Sequence, residues 1–574
     1  MKKIVLSGII IVLFSFLAIG QSGTLTQNTA AELYIDVIVP NRTALEQLGQ
    51  DFVIDKASYN EQEQSFTARV WLPKKRYADF EALLLPYSIV PTEDTKYTVT
   101  LASSYTDMIA NWDKYPTYPA YLAIMDSFQS KYPQWCTTET VLNATSGGRK
   151  ILAAHLGSSA SNMARPAFLY SSTMHGDEVS GYYLMLRLIH YLLSNAANNA
   201  QVQNILNNVD LWIIPLINPD GTYYSGNTTI GSSPTSTRSN RNGVDINRSF
   251  PKLGSLIAGG SSNGNYELEI QAMMDFFNAH PFVMSANLHG GAELYNYPWD
   301  TYRTNQRAHP DRDWFYYLGR KFATTCQAQS SGYFDDNSDG VDNGVTEGGD
   351  WYVITGSQQD WANYAGYCKE VTIEVSTTKV VRNNQLNTLW NNTRQALLDY
   401  IEQSLYGLRG IVTDSLTGAP LAARVFIPSH DADHSDVYSH LPLGNYHRPI
   451  KEGSYTVQYS AEGYRTKTYT LAVTDDVATV KDVQLVPLTQ AVVSPKIAVC
   501  RIYPNPANDY IIIESEKSDL TVEIRDVAGK LLNRTVLQDF NKINIRNWAS
   551  GIYFVSVIEK GKIIDVQKLI KSER

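Results

Sequence analysis

Cysteine is scarce: Cys136, Cys326, Cys368 and Cys500 are the only four in 574 residues. No two stand as Cys-x-x-Cys, so neither a dense disulfide scaffold nor a thiolate metal knuckle is available. Basic charge is not in excess either. The formal net charge is −9, which argues against a nucleic-acid partner and suits cationic substrates. After Ile19 no apolar run approaches the ~18 residues of a membrane span. Tandem repeats are absent, which argues against solenoid and propeller arrays. Low-complexity tracts are absent too, and 18% charged against 43% hydrophobic residues describes a folded chain.

What is present begins at the N-terminus. Met1-Lys2-Lys3 precedes an apolar stretch, Ile4 to Ile19, and then Gly20-Gln21-Ser22-Gly23. This order reads as a signal peptide over residues 1–20. The mature protein is then exported, secreted or at the cell surface after periplasmic passage, with no transmembrane segment once the signal is removed. At 574 residues three or four domains are expected.

Residues 21–100 read as a small α+β unit, with strands at 33–39 and 66–72 and helices at 41–48 and 74–85. Over 101–406 strands alternate with helical stretches at 121–132, 180–194, 266–278 and 384–404, a pattern for an α/β domain with a mixed or parallel sheet. Helices then stop. Residues 407–488 read as a small β-sandwich, 489–499 as a linker, and 500–574 as a second all-β domain.

The chemistry concentrates in the α/β part. His175-Gly176-Asp177-Glu178 follows the apolar run Ala167 to Tyr170, and His289 follows Phe282 to Leu288. Two strand ends of one sheet converge outside the carboxyl edge of the strands. Two imidazoles and a carboxylate form a catalytic zinc set with a fourth position left for water. A third run, Glu370 to Val375, offers two acids on one sheet face, Glu370 and Glu374, either of which can serve as base.

Several further motifs accompany these. They are Asn218-Pro219-Asp220-Gly221, the stretch Arg238 to Phe250, His289-Gly290-Gly291 with Tyr297-Pro298, and Gln359-Asp360-Trp361. Together they resemble the zinc metallocarboxypeptidases of the carboxypeptidase A-like family, in particular the branch containing carboxypeptidases N, E and D, over residues 115–405.

That resemblance implies a set of roles. His175, Glu178 and His289 match the ligands of one zinc ion. Glu374, fourteen positions after Asp360, matches the base, which leaves Glu370 structural. Arg238 matches the arginine that polarises the scissile carbonyl, with Arg241 as its competitor. Asn247 and Arg248 match the pair that binds the substrate's C-terminal carboxylate, and Tyr352 the tyrosine that caps it. Asp300 matches the acid that pairs with a C-terminal Lys or Arg, and Gln359 the position that distinguishes the branches. Ser249 and Gly356-Ser357-Gln358-Gln359 depart from the branch pattern at the pocket wall.

The implied activity is secreted zinc-dependent removal of C-terminal Lys or Arg from peptides and proteins. The same scaffold acting on another amide, such as a cell-wall peptide, and a non-catalytic peptide-binding module are the competing readings. Residues 21–100 resemble a pro-segment; a permanent N-terminal domain is the alternative. Residues 407–488 resemble the transthyretin-like domain of the same branch. Residues 500–574, with Tyr503-Pro504-Asn505-Pro506 and Lys568-Leu569-Ile570-Lys571, resemble the C-terminal sorting domain read by the type IX secretion machinery. Cys326–Cys368 is the candidate disulfide, with Cys136 the competing partner. Asp335 to Gly340 looks like half a calcium loop, but Thr346 stands where an EF-hand needs glutamate.

Overall fold

A computed structural model of the protein describes residues 25–572, except 29, 31, 91–98, 158–163, 233–234, 489–499, 516, 518 and 539. The expected signal peptide and linker lie outside the described residues. The chain divides into two compact units, Met1–Pro487 and Leu488–Arg574.

At the start of the first unit, β1 (Glu32–Val39), β2 (Val53–Asn60), β3 (Ser65–Pro73) and β4 (Tyr87–Ile89) form a sheet ordered β2-β3-β1-β4. Helices Arg42–Asp51 and Tyr77–Glu81 bury Leu45, Leu48 and Phe80 with Ile35, Val37 and Val70 of the strands. Asn41 caps the first helix by accepting the Ala44 N–H. The expected helix over 74–85 is shorter: a 3₁₀ turn precedes it, it ends at Glu81, and Leu84 has φ of 54°. Strand β2 was not expected, because Val53-Ile54-Asp55-Lys56-Ala57-Ser58-Tyr59-Asn60 lacks apolar alternation. Its register against β3 shifts between Ile54 and Lys56, so Asp55 is the extra residue of a bulge, a device that re-aims a side chain.

A short parallel pair, β5 (Leu101–Ala102) and β6 (Tyr115–Pro116), leads into an eight-stranded sheet. Its strands are β7 (Cys136–Leu142), β8 (Ile151–Leu156), β9 (Ala167–Ser172), β10 (Asp210–Ile214), β11 (Phe282–His289), β12 (Ala292–Tyr297), β13 (Val345–Glu347) and β14 (Lys369–Ser376). The order is β13-β12-β14-β11-β9-β10-β8-β7. The centre, from β10 through β9 and β11 to β14, is parallel, while β8 and β12 pair antiparallel with its flanks. Every residue of β9 is buried, as expected of a strand covered on both faces.

Helices Ser180–Asn195, Arg312–Gln329 and Leu386–Glu402 pack in one core, and helix Leu268–Ala279 in a second. Three of these begin and end within a few residues of the sequence expectation. The candidate disulfide is corrected here: all four cysteines are free and buried. Cys326 belongs to one core and Cys368 to the other, so neither thiol reaches its proposed partner.

Strands from Gly407–Asp414 to Val483–Pro487 form the β-sandwich, whose core includes Leu408, Val425, Tyr446 and Val457. A buried ion cluster joins it to the α/β part. The Arg448 guanidinium meets Asp311 at 2.8 Å and Asp431 at 2.5 Å, and Lys369 Nζ meets Asp311 at 2.6 Å. In the second unit, sheets of three and four strands enclose Ile511, Ile513, Val522, Val555 and Leu569. No helix of the described residues is long and apolar enough to cross a membrane.

Candidate active site

Parallel register brings the chemistry together. His289 closes β11 and pairs with Glu374 of the neighbouring β14. His175 lies just past β9, on the other side of β11. Gly176 lets this turn touch the Asn-Pro-Asp-Gly segment; a Cβ there would meet Gly221 carbonyl carbon at 2.3 Å. Asn218 staples the two, donating to the Met174 and Arg238 carbonyls and accepting the Gly221 N–H.

His175, Glu178 and His289 are buried and form the one described group of three able to hold a metal ion. The two Nδ1 atoms stand 3.1 Å apart, and Glu178 Oε2 lies 2.9 Å from His289 Nδ1 and 3.1 Å from His175 Nδ1. Tetrahedral zinc with bonds of about 2.0–2.1 Å needs ligand atoms about 3.3 Å apart, so this donor set fits the ion. The outer His175 nitrogen, Nε2, faces Asp245 Oδ1 at 3.2 Å, the orienting carboxylate common behind a metal-binding imidazole.

The two acids of β14 have different surroundings. Glu370 is fully buried; Ser285 Oγ donates to it at 2.6 Å and Gln358 Nε2 at 3.0 Å. Burial pushes its carboxyl up to about 7. Glu374 lines the cleft, and its Oε2 has no hydrogen-bond partner among the described residues. Desolvation, then the neighbouring Glu178 and Asp55 carboxylates, push it well above the usual carboxylate range.

Arg238 is 2% exposed and points into the same cleft. Its Nε donates to Asp245 at 2.8 Å and its Nη1 contacts Asp55 at 2.6 Å. Arg241 is exposed and stacks over Tyr224, 5.5 Å from the ring centroid, outside the cleft. Asn247, Arg248, Tyr352 and Asp300 line the cleft with the metal-binding group. Asn247 Oδ1 accepts the Gln358 N–H at 2.9 Å, tying this loop to the helix that carries Gln359.

Asp300 is 2% exposed. Gln359 Nε2 and Asn296 Nδ2 donate to its Oδ1 at 3.0 and 3.1 Å. Asp360 accepts the Asp300 and Thr301 N–H groups and so fixes the turn that presents it. Burial, then Asp300, pushes Asp360 up to about 8. Gly348 leaves room for Asp300, since a Cβ there would stand 2.0 Å from its Oδ1.

The N-terminal part covers this cleft. Arg248 donates to the Ile54 carbonyl at 3.2 Å and the Tyr352 hydroxyl to the Asp55 carbonyl at 2.9 Å. Glu32 accepts the Arg238 N–H at 2.7 Å, and Tyr34 donates to Asp177 at 2.7 Å. Lys379, from the loop after β14, donates to Tyr34, Asp55 and Glu178 at 2.8, 2.9 and 3.1 Å. Sequence reasoning missed Asp55, Asp245 and Lys379. Asp245 had a usable signal, lying between Arg238 and Asn247; the other two come from chain segments that no motif marks.

Comparison with known proteins matches residues 121–396 to the zinc carboxypeptidase family and 501–572 to the secretion system C-terminal sorting domain. Carboxypeptidase M of Mus musculus is 32% identical over 313 residues, 52% of this chain and 67% of the relative. The carboxypeptidase N catalytic chain of Mus musculus is 32% identical over 351 residues, 56% of this chain and 74% of the relative. Among solved structures, carboxypeptidase A from Helicoverpa armigera aligns at 16% identity and TM-score 0.48, covering 65% of this chain and 97% of that one. The sorting domain marks the protein for export to the cell surface or beyond. With these two curated relatives matched over two thirds or more of their length, the chain belongs to the zinc carboxypeptidase family.

Proposed function

We propose that this enzyme removes C-terminal Lys or Arg from peptides and proteins. Asp300 carries that reading: it is a buried carboxylate in the cleft that accepts hydrogen bonds from two amides and makes no ion pair among the described residues. A Lys or Arg side chain supplies the missing partner, and a bidentate Arg contact adds geometry. His175, Glu178 and His289 would hold the zinc, which when bound would supply positive charge that makes a water in the site more acidic. Glu374 accepts the proton of the attacking water and passes it to the leaving amine. Arg238 polarises the scissile carbonyl. Asn247 and Arg248 bind the terminal carboxylate, Tyr352 closes over it, and Gln359 steadies Asp300.

Leaving a buried charge without its partner costs roughly 3–5 kcal/mol, or about two to four decades in rate. Peptides ending in Arg or Lys are therefore expected to exceed Phe-ended ones in kcat/KM by at least that factor. Asp300→Ala is expected to abolish this preference while zinc content stays unchanged. Measuring kcat/KM on both peptide classes checks it, and a variant that keeps the full preference contradicts it.

The N-terminal unit is a latency domain in this reading. Support comes from Ile54 and Asp55, whose carbonyls take the Arg248 and Tyr352 donors, and from the Asp55 carboxylate on Arg238. Hydrogen bonds to charged groups contribute about 1.5–3 kcal/mol each. Asp55→Ala is therefore expected to raise the activity of the full chain about tenfold or more, read in a peptide assay at equal zinc content. Equal activity of the two proteins contradicts latency. The C-terminal unit is read by the type IX secretion machinery, its partner during export.

A further inference from the structure

Lys379 reaches Glu178 of the metal-binding group, and the reading above gives it no task. Its backbone is fixed, because its carbonyl accepts the Val179 N–H at 3.0 Å. Its side chain is 19% exposed and is aimed at the reaction centre, with Nζ 3.1 Å from Glu178 Oε1 and 3.4 Å from Asp177 Oδ2. The remaining partners, Asp55 at 2.9 Å and Tyr34 at 2.8 Å, both come from the N-terminal unit. One oxygen decides the matter. Asp55 Oδ1 lies 2.6 Å from Arg238 Nη1 and 2.9 Å from Lys379 Nζ. Two fixed cations from different loops converge on a single anionic oxygen, on a unit whose neighbouring carbonyls occupy the other substrate-reading donors.

We propose that Lys379 is a catalytic residue that, with Arg238, stabilises the oxygen turning anionic on the scissile carbonyl. Asp55 Oδ1 marks that position in the covered cleft. The proposal rests on the carboxypeptidase reading. In the step concerned, the water oxygen bonds to the carbonyl carbon and its proton passes to Glu374. The carbonyl π pair moves onto the carbonyl oxygen, where Arg238 and Lys379 donate hydrogen bonds. When that pair returns, the C–N bond breaks, and the nitrogen keeps the bonding pair and takes the proton from Glu374. Lys379 stays protonated throughout. A preorganised ammonium acts here on charge present only during reaction, the condition for lowering the barrier rather than tightening ground-state binding.

The test uses the full chain carrying Asp55→Ala, which vacates the position. Lys379→Met is expected to lower kcat about 10²–10³-fold, the effect of losing one oxyanion donor, with KM and zinc content little changed. Lys379→Arg is expected to keep most of the rate. Affinity for a tetrahedral phosphonate peptide analogue should fall in parallel with kcat/KM across these variants. Three results would overturn the proposal: loss of zinc from Lys379→Met, unchanged phosphonate affinity, or a rate loss confined to peptides with Asp or Glu before the terminal residue. Arg238→Met is the control for the underlying reading; if it too is unimpaired, both fall together.

Discussion

Glu374→Gln is expected to leave zinc bound and to lower kcat by about 10²–10⁴-fold, the usual contribution of a general acid–base group. The substitution keeps shape and removes the carboxylate, so it isolates proton transfer from metal binding. The physical case is the contrast within β14. Glu370 accepts hydrogen bonds from Ser285 and Gln358 in the core, whereas Glu374 lines the cleft with Glu178 and has one oxygen without a partner among the described residues. A carboxyl raised by desolvation and neighbouring acids is poised to hold a proton between its two transfers. Glu370→Gln is expected to act on stability instead, since it disturbs a buried pair with Ser285. Single-turnover rates and zinc content of both variants decide between them. An active Glu374→Gln beside a dead, folded Glu370→Gln contradicts the assignment.

His175→Ala is expected to remove bound zinc and all measurable turnover. Three ligand atoms within 3.1 Å of one another become two, and a catalytic zinc site needs three protein ligands plus water. The variant also strands Asp245, which contacts His175 Nε2 and Arg238 together. Burial opposes ionisation of Asp245, but Arg238 and the facing imidazole hold it well below the usual carboxylate range. Asp245→Asn is therefore expected to weaken zinc retention more mildly, by about 10–100-fold, the typical cost of losing an orienting partner. Metal analysis after dialysis reads both; a fully metallated, active His175→Ala contradicts the zinc site.

Much of this was legible in the sequence for a definite reason. Strand-end residues such as His289 and Glu374 follow long buried apolar runs, and such runs fix where a strand stops. The Ser180–Asn195 helix was legible because Leu184, Leu188 and Leu192 repeat at four-residue spacing on its buried side. Choosing Glu374 over Glu370 was different: both face the same way, so the sequence separated them only through the family spacing from Asp360, and their different partners add the physical reason. The β2 strand was invisible because its apolar content is low and only one of its residues, Ile54, is fully buried. Asp55 depends further on a bulge, a register event between strands. Lys379 acts through a loop whose direction is set by its hydrogen bond to Val179. The disulfide expectation failed because proximity in the chain says nothing about which face of a sheet a residue packs on.

The most direct test of the central claim is release of the last residue from peptides ending in Arg, Lys, Phe and Glu. It is run on the full chain and its Asp55→Ala variant, with and without chelator. Release of Arg and Lys at least about two decades above Phe and Glu, abolished by chelator and restored by zinc, is the predicted result. Equal kcat/KM on all four peptides, or release that persists in chelator, would contradict it.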